Sequence, residues 1–506
     1  MFIRKKRNKS GTISIQLIHK EKGQYKVVQT IGSSSDSSII EQLLYEAQQK
    51  KNLLLGNQPL EFHKFEEDKL VDMFFSGIEK IELVGPELLL GKLFDEIGFG
   101  KIKEELFRHL VITRLCFPVS KLKTADYLYK YKGIMIDVEK IYRYLDKLHS
   151  RQKDIVQQIS YTHTCKVLNT SIRVVFYDVT TLYFETDTQD EIRKPGFSKD
   201  GKHKNPQIVL GLLVSVDGYP LAYEIFEGNT YEGYTMLPVI EKFRNKYHLE
   251  KLVVVADSGL LSNQNITELE SHGYEYILGA RIKNEKDNIK RQILNLHLSN
   301  GESSELYKDE TRRIIISYSD QRAKKDLENR KKGILKLEES IKKGKLTKSS
   351  LNNRGYNKFL KLEGEVSISI DYGKLELSSQ WDGLKGYITN TKLTIDEIIE
   401  QYGNLWKIEK AFRIAKSDLR IRPIYHRLRR RIEAHISIAF CACKIYKELE
   451  RQLKLYKSIW SPEQAIAIAK TIYRLTILKP YSKEIESRLI LKNPEQDTLL
   501  KLFNII

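Results

Sequence analysis

Residues 174–184 read VVFYDVTTLYF, an apolar, β-branched run of the buried-strand type broken by one carboxylate, Asp178. A run of this kind belongs inside a sheet covered on both faces. A charge within it is either a solvated strand exit or a group held out over the sheet for chemistry. A second run, KLVVVAD at residues 251–257, ends in the same way on Asp257. Two strands of one small domain then deliver carboxylates at their C-terminal ends, where open α/β sheets bind their ligands. Two neighbouring carboxylates repel unless a cation neutralises them, and hard divalent ions accept such oxygen ligands.

The surroundings supply the rest of a sheet. PQIVLGLLVSV (206–216) and YPLAYEIFEGN (219–229) are two further strands, joined at Asp217-Gly218, a strong hairpin signal. TMLPVIEKFRNKYH (235–248) is an amphipathic helix, and SNQNITELESHG (262–273) another, with Ser262 as N-cap and Gly273 past its end. YEYILGARI (274–282) closes the series as a strand, so residues 171–282 run β-β-β-α-β-α-β.

A third carboxylate comes from a long helix predicted over TIDEIIEQYGNLWKIEKAFRIAKSDL (394–419), opened by a capping box of Thr394 and Glu397. Tyr402, Glu409 and Lys416 are spaced by seven and fall on one face, which Arg413 joins. An acid flanked by a tyrosine and two cations suits a metal ligand beside phosphate-binding groups, and equally suits ordinary i,i+4 ion pairing. The neighbourhood is strongly basic: residues 401–450 hold twelve Lys and Arg, among them Lys407, Arg420 and Arg422, against five acids. That is a net +7 of the whole chain's +19, and it points to a nucleic-acid backbone as partner.

The chain's 506 residues exceed what one core usually serves. Six segments are expected: a β-hairpin at 1–36, a helical, DNA-binding domain at 37–165, the first part of an α/β core at 166–282, an insertion at 283–382, the glutamate helix with its basic segment at 383–440, and a helical, dimerising C-terminal region at 441–506 with a break near Pro480. The helical domain is either a solvated bundle or a DNA-docking module. The insertion is expected to hold the charge-laced helix DQRAKKDLENRKKGILKLEESIKKGKL (320–346) and strands at EVSISIDYG (365–373) and LELSSQ (375–380). No apolar run approaches the ~18 residues of a membrane span, and MFIRKKRNKSGTISI lacks the apolar centre of a signal peptide. Four cysteines are too few for a disulfide scaffold, and Cys441 and Cys443 sit in an apolar helical stretch that reads as core. The expected address is the cytoplasm, reducing and rich in nucleic acid, with no membrane partner.

With these residues assembled, the chain resembles the DDE transposases of bacterial insertion sequences, specifically the family numbered four. Its signature on the last catalytic helix is Tyr, two residues, Arg, three residues, Glu, six residues, Lys. YGNLWKIEKAFRIAK (402–416) matches Tyr402, Glu409 and Lys416 in register, with Leu405 in place of the arginine. Lys407 and Arg413 are the candidates to compensate. YDVTTLYF and VVVADSGLLS are similar to the family's two aspartate motifs, and FEGNTYEGYT to the loop between them.

The resemblance implies an RNase H-like catalytic domain interrupted by a mixed β insertion. It implies Asp178, Asp257 and Glu409 as catalytic residues and ligands of two Mg2+ ions, with Mn2+ able to substitute. Tyr402, Lys407, Arg413, Lys416, Arg420 and Arg422 would meet DNA phosphates, and Trp381 would either stack on a base or fill the core at a strand end. The implied partners are double-stranded DNA, both element ends and target, and a second copy of the chain in a synaptic complex. Two rivals remain: a transposase-derived DNA-binding protein with an impaired site, and a Mg2+ phosphohydrolase of the haloacid dehalogenase type, which needs a second Asp where Thr180 stands.

Overall fold

A computed structural model describes residues 1–56, 62–198, 201, 204–260, 262–346, 350–352, 355–363, 367–479 and 482–506. It divides into two compact units, one of residues 1–81 and 474–490, the other of residues 82–473 and 491–506. In the first unit, the hairpin expected near the N-terminus is present as Ile13–Glu21 and Gln24–Ser34, turning through Lys22 and Gly23, both at positive φ. A strand that the cationic FIRKKR conceals, Phe2–Arg7, pairs antiparallel with it. Ile15 and Leu17 bury their side chains against Ala47 of the helix Ser37–Leu54, whose N-cap Asp36 accepts from the Ser38 amide at 2.8 Å.

Two helical expectations need correcting. Ile78–Leu83, Tyr473–Leu478 and Ile485–Ile490 form a three-stranded sheet, so neither 37–165 nor 441–506 is wholly helical. Short apolar runs such as YRLTIL fit either period, and their β-branched and aromatic content decides for strand. The expected break at Pro480 lies outside the described residues.

After the short helix Lys92–Ile97, the helical layer of the second unit consists of α1 (Glu105–Cys116), α2 (Lys121–Lys132), α3 (Val138–Lys147) and α4 (Lys153–Leu168). Next comes a mixed sheet whose strands are β1 (Val174–Tyr183), β2 (Gln207–Ser215), β3 (Pro220–Glu227), β4 (Val253–Ala256), β5 (Glu275–Ala280), β6 (Ser303–Tyr307), β7 (Arg313–Tyr318) and β8 (Leu384–Thr389). Their order across the sheet is β6-β7-β8-β5-β4-β1-β2-β3. Neighbours β1 and β4, and β4 and β5, are parallel; every other pairing is antiparallel. With α5 (Met236–Tyr247) before β4 and α6 (Asn263–Ser271) after it, the expected β-β-β-α-β-α-β order is present. The expected cap and hairpin turn are also in place: the Ser262 hydroxyl accepts from the Asn265 amide at 3.0 Å, and Gly218 turns β2 into β3 at φ +79.

Alternation along the strands explains why they read as continuously apolar. Val175, Tyr177, Val209, Val254 and Tyr276 face a core shared with α5 and α6. Phe176, Leu182, Leu210, Val253 and Val255 face a second core. That core is completed by α1, α3 and α10 (Arg429–Leu455), a helix buried along most of its length, Cys441 and Cys443 included.

The insertion departs from expectation in two ways. Its strands β6 and β7, with β8 just after it, widen the central sheet beyond β5 instead of standing apart. LELSS is helical, within Tyr372–Ser379 and followed by Gln380 as C-cap, because Asp371 caps the run's start by accepting from the Lys374 amide at 3.0 Å. Of EVSISIDYG, Ser367–Ile370 is a strand paired with Leu360–Glu363, and Glu365 and Val366 lie outside the described residues. The charge-laced helix is present as α7 (Asp320–Lys342), which with Phe359, Leu360 and Ile370 makes a small core of its own.

Candidate functional site

The parallel ladder between β1 and β4 has its last pair at Tyr177 and Ala256. The next residue on each strand is an aspartate, Asp178 and Asp257. Adjacent strands lie about 4.8 Å apart, so the register itself sets the two carboxylates side by side. Asp178 is not at a strand end as the sequence suggested, because β1 continues to Tyr183 paired with β2. It is β4 that stops, and this opens the edge of β1 at the level of Asp178.

Alternation fixes the face. Asp178 follows the parity of Phe176, and Asp257 that of Val255, so both point toward the core that the final helices cover. Those helices are α8 (Ile395–Gly403) and α9 (Trp406–Arg413). The sequence suggested one continuous helix here. The chain instead tightens at Asn404, whose amide donates to the Glu400 and Gln401 carbonyls, and winds more loosely over Ile414–Asp418. The Thr394–Glu397 capping box that starts α8 is formed as expected.

Asp178, Asp257 and Glu409 line one open cavity of about 670 Å³ with Tyr402. The Tyr402 hydroxyl donates to Asp257 Oδ1 at 2.9 Å, and the residue as a whole is 7% exposed. Burial and the Asp257 charge both hold that phenol protonated by raising its pKa. The approach depends on Gly279 of β5, where a Cβ would lie 2.3 Å from the Tyr402 oxygen. Arg281 fastens the loop after Asp257, donating to the Ser258 carbonyl at 2.8 Å.

The cavity's cations are not those that the helix spacing indicated. Arg281, Lys283, Arg322 and Lys385 line it; Lys407, Arg413, Lys416, Arg420 and Arg422 do not. Lys407 turns away and donates to the Val216 carbonyl at 2.6 Å. Arg413 is exposed, with its charge felt by Asp418, and Lys416 is half-buried in the loosened turn. Leu405, at the signature's arginine position, lines the cavity too, but is 9% exposed and packs its side chain against the core. Lys385 of β8 instead puts its ammonium 4.5 Å from the Tyr402 ring centre. Burial and Arg322 lower the Lys385 pKa while Asp257 opposes them. Trp381 is half-buried against the α5–α6 core, and the tryptophan at the cavity is Trp406, 51% exposed.

The donor set is all carboxylate oxygen, which suits a hard divalent cation bound through one or two protein carboxylates with water and substrate phosphate completing the shell. The adjacent aspartates fit that requirement. Among the described residues, no three His, Cys, Asp or Glu side chains are grouped closely enough to hold an ion by themselves, so Glu409 shares the cavity without closing a three-ligand cage.

Residues 169–443, just over half of the chain and inclusive of all three acids, match the family described as "Transposase DDE domain". No curated protein matches the chain. Among solved structures, the piggyBac transposase synaptic complex with hairpin DNA is similar over 77% of this chain and 79% of that one, at 10% identity and a TM-score of 0.36. The Mos1 transposase paired-end complex with left transposon end is similar over 31% and 53%, at 10% identity and a TM-score of 0.16. The Mos1 mariner paired-end complex with Mn is similar over 31% and 54%, at 12% identity and a TM-score of 0.15. Scores this low add no weight to the sequence match.

Proposed function

The chain belongs to the transposase DDE domain family, a family of DNA-cutting enzymes, and from that premise we propose a transposase of the insertion-sequence family four type. It cleaves DNA strands at the terminal inverted repeats of its element and transfers the freed ends to target DNA. The observation that carries the proposal is the register that ends at Tyr177 and Ala256 and leaves Asp178 and Asp257 adjacent, in one cavity with Glu409. The strand order 3-2-1-4-5 from β3 to β5 supports an RNase H-like core for this site.

Asp178 and Asp257, with Glu409, would hold two Mg2+ ions, Mn2+ substituting. When bound, such ions activate a water or 3′-hydroxyl and stabilise the leaving oxygen of an in-line displacement. Tyr402 fixes the Asp257 carboxylate in one orientation. Lys385, Lys283 and Arg322 form the positive wall that receives the phosphates of the cut strand. Hydrolysis and strand transfer share the site, since only the nucleophile differs between them.

The working unit is a homodimer holding two element ends in a synaptic complex in the bacterial cytoplasm. The helices before β1 read the ends, and the region after residue 440 contributes to dimerisation. Lys416 and Arg413 serve flanking DNA outside the cavity.

A DNA-binding regulator without cutting activity is favoured by two observations, Leu405 at the arginine position and the absence, among the described residues, of a three-carboxylate cage. Strand cleavage on DNA bearing the element's own ends, with Mg2+, separates the two. The transposase cuts, and Asp178→Asn or Glu409→Gln abolishes cutting while DNA binding persists. Binding without cleavage by the native chain establishes the regulator, and undiminished cleavage by either variant removes that residue from the site.

A further inference from the structure

A second cavity, of about 630 Å³, lies between the start of α2 and the segment that follows α9. Its charged lining is entirely basic: Arg114, Lys121, Lys123, Arg420 and Arg422, with His426 and His435 and no Asp or Glu. Two of these cations are deeply buried, Arg114 at 6% and Lys121 at 5% exposure. Arg114 makes one long bond, 3.4 Å to the Leu419 carbonyl, which leaves most of its guanidinium donors unused. Among the described residues, the Lys121 ammonium meets no hydrogen-bond acceptor.

Buried cations are normally paired with a carboxylate, because desolvating an unpaired charge is expensive. The expense is visible here. Burial drives Arg114 down to about 10, burial with Arg114 drives Lys121 well below the usual lysine range, and burial with Lys121 and Arg114 drives His426 down to about 3. The backbone adds to the demand for negative charge. Ser120 caps α2 and accepts from the Lys123 amide at 3.3 Å, and the free amides of the first turn belong to residues lining the same cavity. Arg420, which contributes from the other wall, is held at positive φ.

We propose that this cavity binds a phosphate group, and that its source is the sugar-phosphate backbone of DNA. The site would be a second, metal-independent grip built from Arg114, Lys121, Arg420, Arg422 and the α2 N-terminus. The choice of DNA rests on the transposase proposal above; the anion chemistry does not. Arg420 and Arg422 stood out in the sequence by charge alone, and the structure gives them two buried partners that the sequence did not mark. The phosphate oxygens would accept from the guanidinium groups and from the α2 amides, and their charge would neutralise Lys121 in its protonated form.

The test uses the full chain. A fluorescein-labelled 40-base-pair duplex of arbitrary sequence is titrated by anisotropy across a salt series in EDTA, and thermal melts are recorded with and without inorganic phosphate. For Lys121→Met, the expected result is a several-fold weaker duplex affinity and a log–log salt slope shallower by about 0.9, the value of one phosphate contact. The melting temperature without phosphate should be unchanged or higher, since an unpaired buried cation has gone. Arg420→Gln with Arg422→Gln, on the more open wall, should lower the slope further and keeps the test valid if Lys121→Met does not fold. Unchanged duplex affinity and slope in both variants would overturn the proposal. If the native chain ignores the duplex yet inorganic phosphate raises its melting temperature, and Lys121→Met removes that rise, the phosphate site stands with a free phosphate as its source and the DNA assignment falls. If neither duplex nor phosphate has any effect, the site itself is refuted.

Discussion

Removing the Tyr402 hydroxyl is the most informative single perturbation of the acidic cavity. Tyr402→Phe keeps the ring, its packing against Tyr387 at 4.8 Å between centroids, and the Lys385 contact, and deletes only the 2.9 Å bond to Asp257. A hydrogen bond to a charged group contributes about 1.5–3 kcal/mol. Because Asp257 faces an open cavity, water can replace the lost donor, which puts the loss in folding stability at the low end. The loss in catalysis is larger in proportion, since a freed carboxylate samples orientations that do not serve the reaction. At about 1.4 kcal/mol per tenfold, cleavage should slow by about 10- to 100-fold, with duplex affinity in EDTA unchanged.

Gly279→Ala reaches the same bond from the other side, because the added Cβ would sit 2.3 Å from the hydroxyl and displace it. In single-turnover cleavage with a Mg2+ series, both variants should need more Mg2+ for half-maximal rate, and the double variant should be little worse than either alone. Full additivity, or a Tyr402→Phe chain with native rate and native Mg2+ dependence, would show that the bond positions nothing.

Other outcomes follow from the same geometry. Lys385→Met should slow cleavage at least tenfold, whereas Lys407→Met should lower the melting temperature by removing the Val216 bond and leave the cleavage rate of the folded chain intact; parallel rate and melting measurements distinguish them. Leu405→Arg, which restores the family signature on the wall of the acidic cavity, should destabilise the chain by about 2 kcal/mol by withdrawing an apolar side chain from the core, while its guanidinium reaches the cavity and leaves cleavage by the folded chain undiminished. Burial would raise the Glu450 pKa, but hydrogen bonds from Lys410 and Lys447 outweigh it and hold the group down to about 2. A depressed carboxylate stabilises the fold above the ordinary pKa of 4.5, and its contribution of up to about 3 kcal/mol fades as pH falls from there toward 2. Urea unfolding should therefore show the native chain losing its advantage over Glu450→Gln between pH 5 and pH 2.5.

How far the sequence shows the site depends on whether the determinant is local. Asp178 and Asp257 stand out because buried strands tolerate so little polarity, and the strand periods around them carry the element order as well. Glu409 stands out through spacing alone, and the spacing survives although the helix breaks at Asn404, because Tyr402 and Glu409 still line one cavity. Lys385 is invisible in sequence: it is one lysine in the half-polar run LKGYIT, and only the pairing of β8 with β5 carries it to Tyr402. The strands β6 and β7 are obscure for a related reason. They lie toward the edge of the sheet, and β6 is half-buried over Ser303–Leu306 and exposed at Tyr307, so it lacks the apolar density of β1 and β4. The second cavity escapes for want of any pattern, since Arg114 and Lys121 occupy helical positions that periodicity assigns to core and surface without regard to what pairs with them.

The central claim is that Asp178 and Asp257 form one cation site because β4 ends one residue before Asp257 while β1 runs on. Mn2+ titration of the full chain followed by electron paramagnetic resonance tests it without DNA or turnover. The expected result is that Asp178→Asn and Asp257→Asn each abolish the same tightly bound ion and that the double variant loses no more. Retention of that ion in either single variant, or loss of separate ions that sum in the double variant, would contradict the shared site.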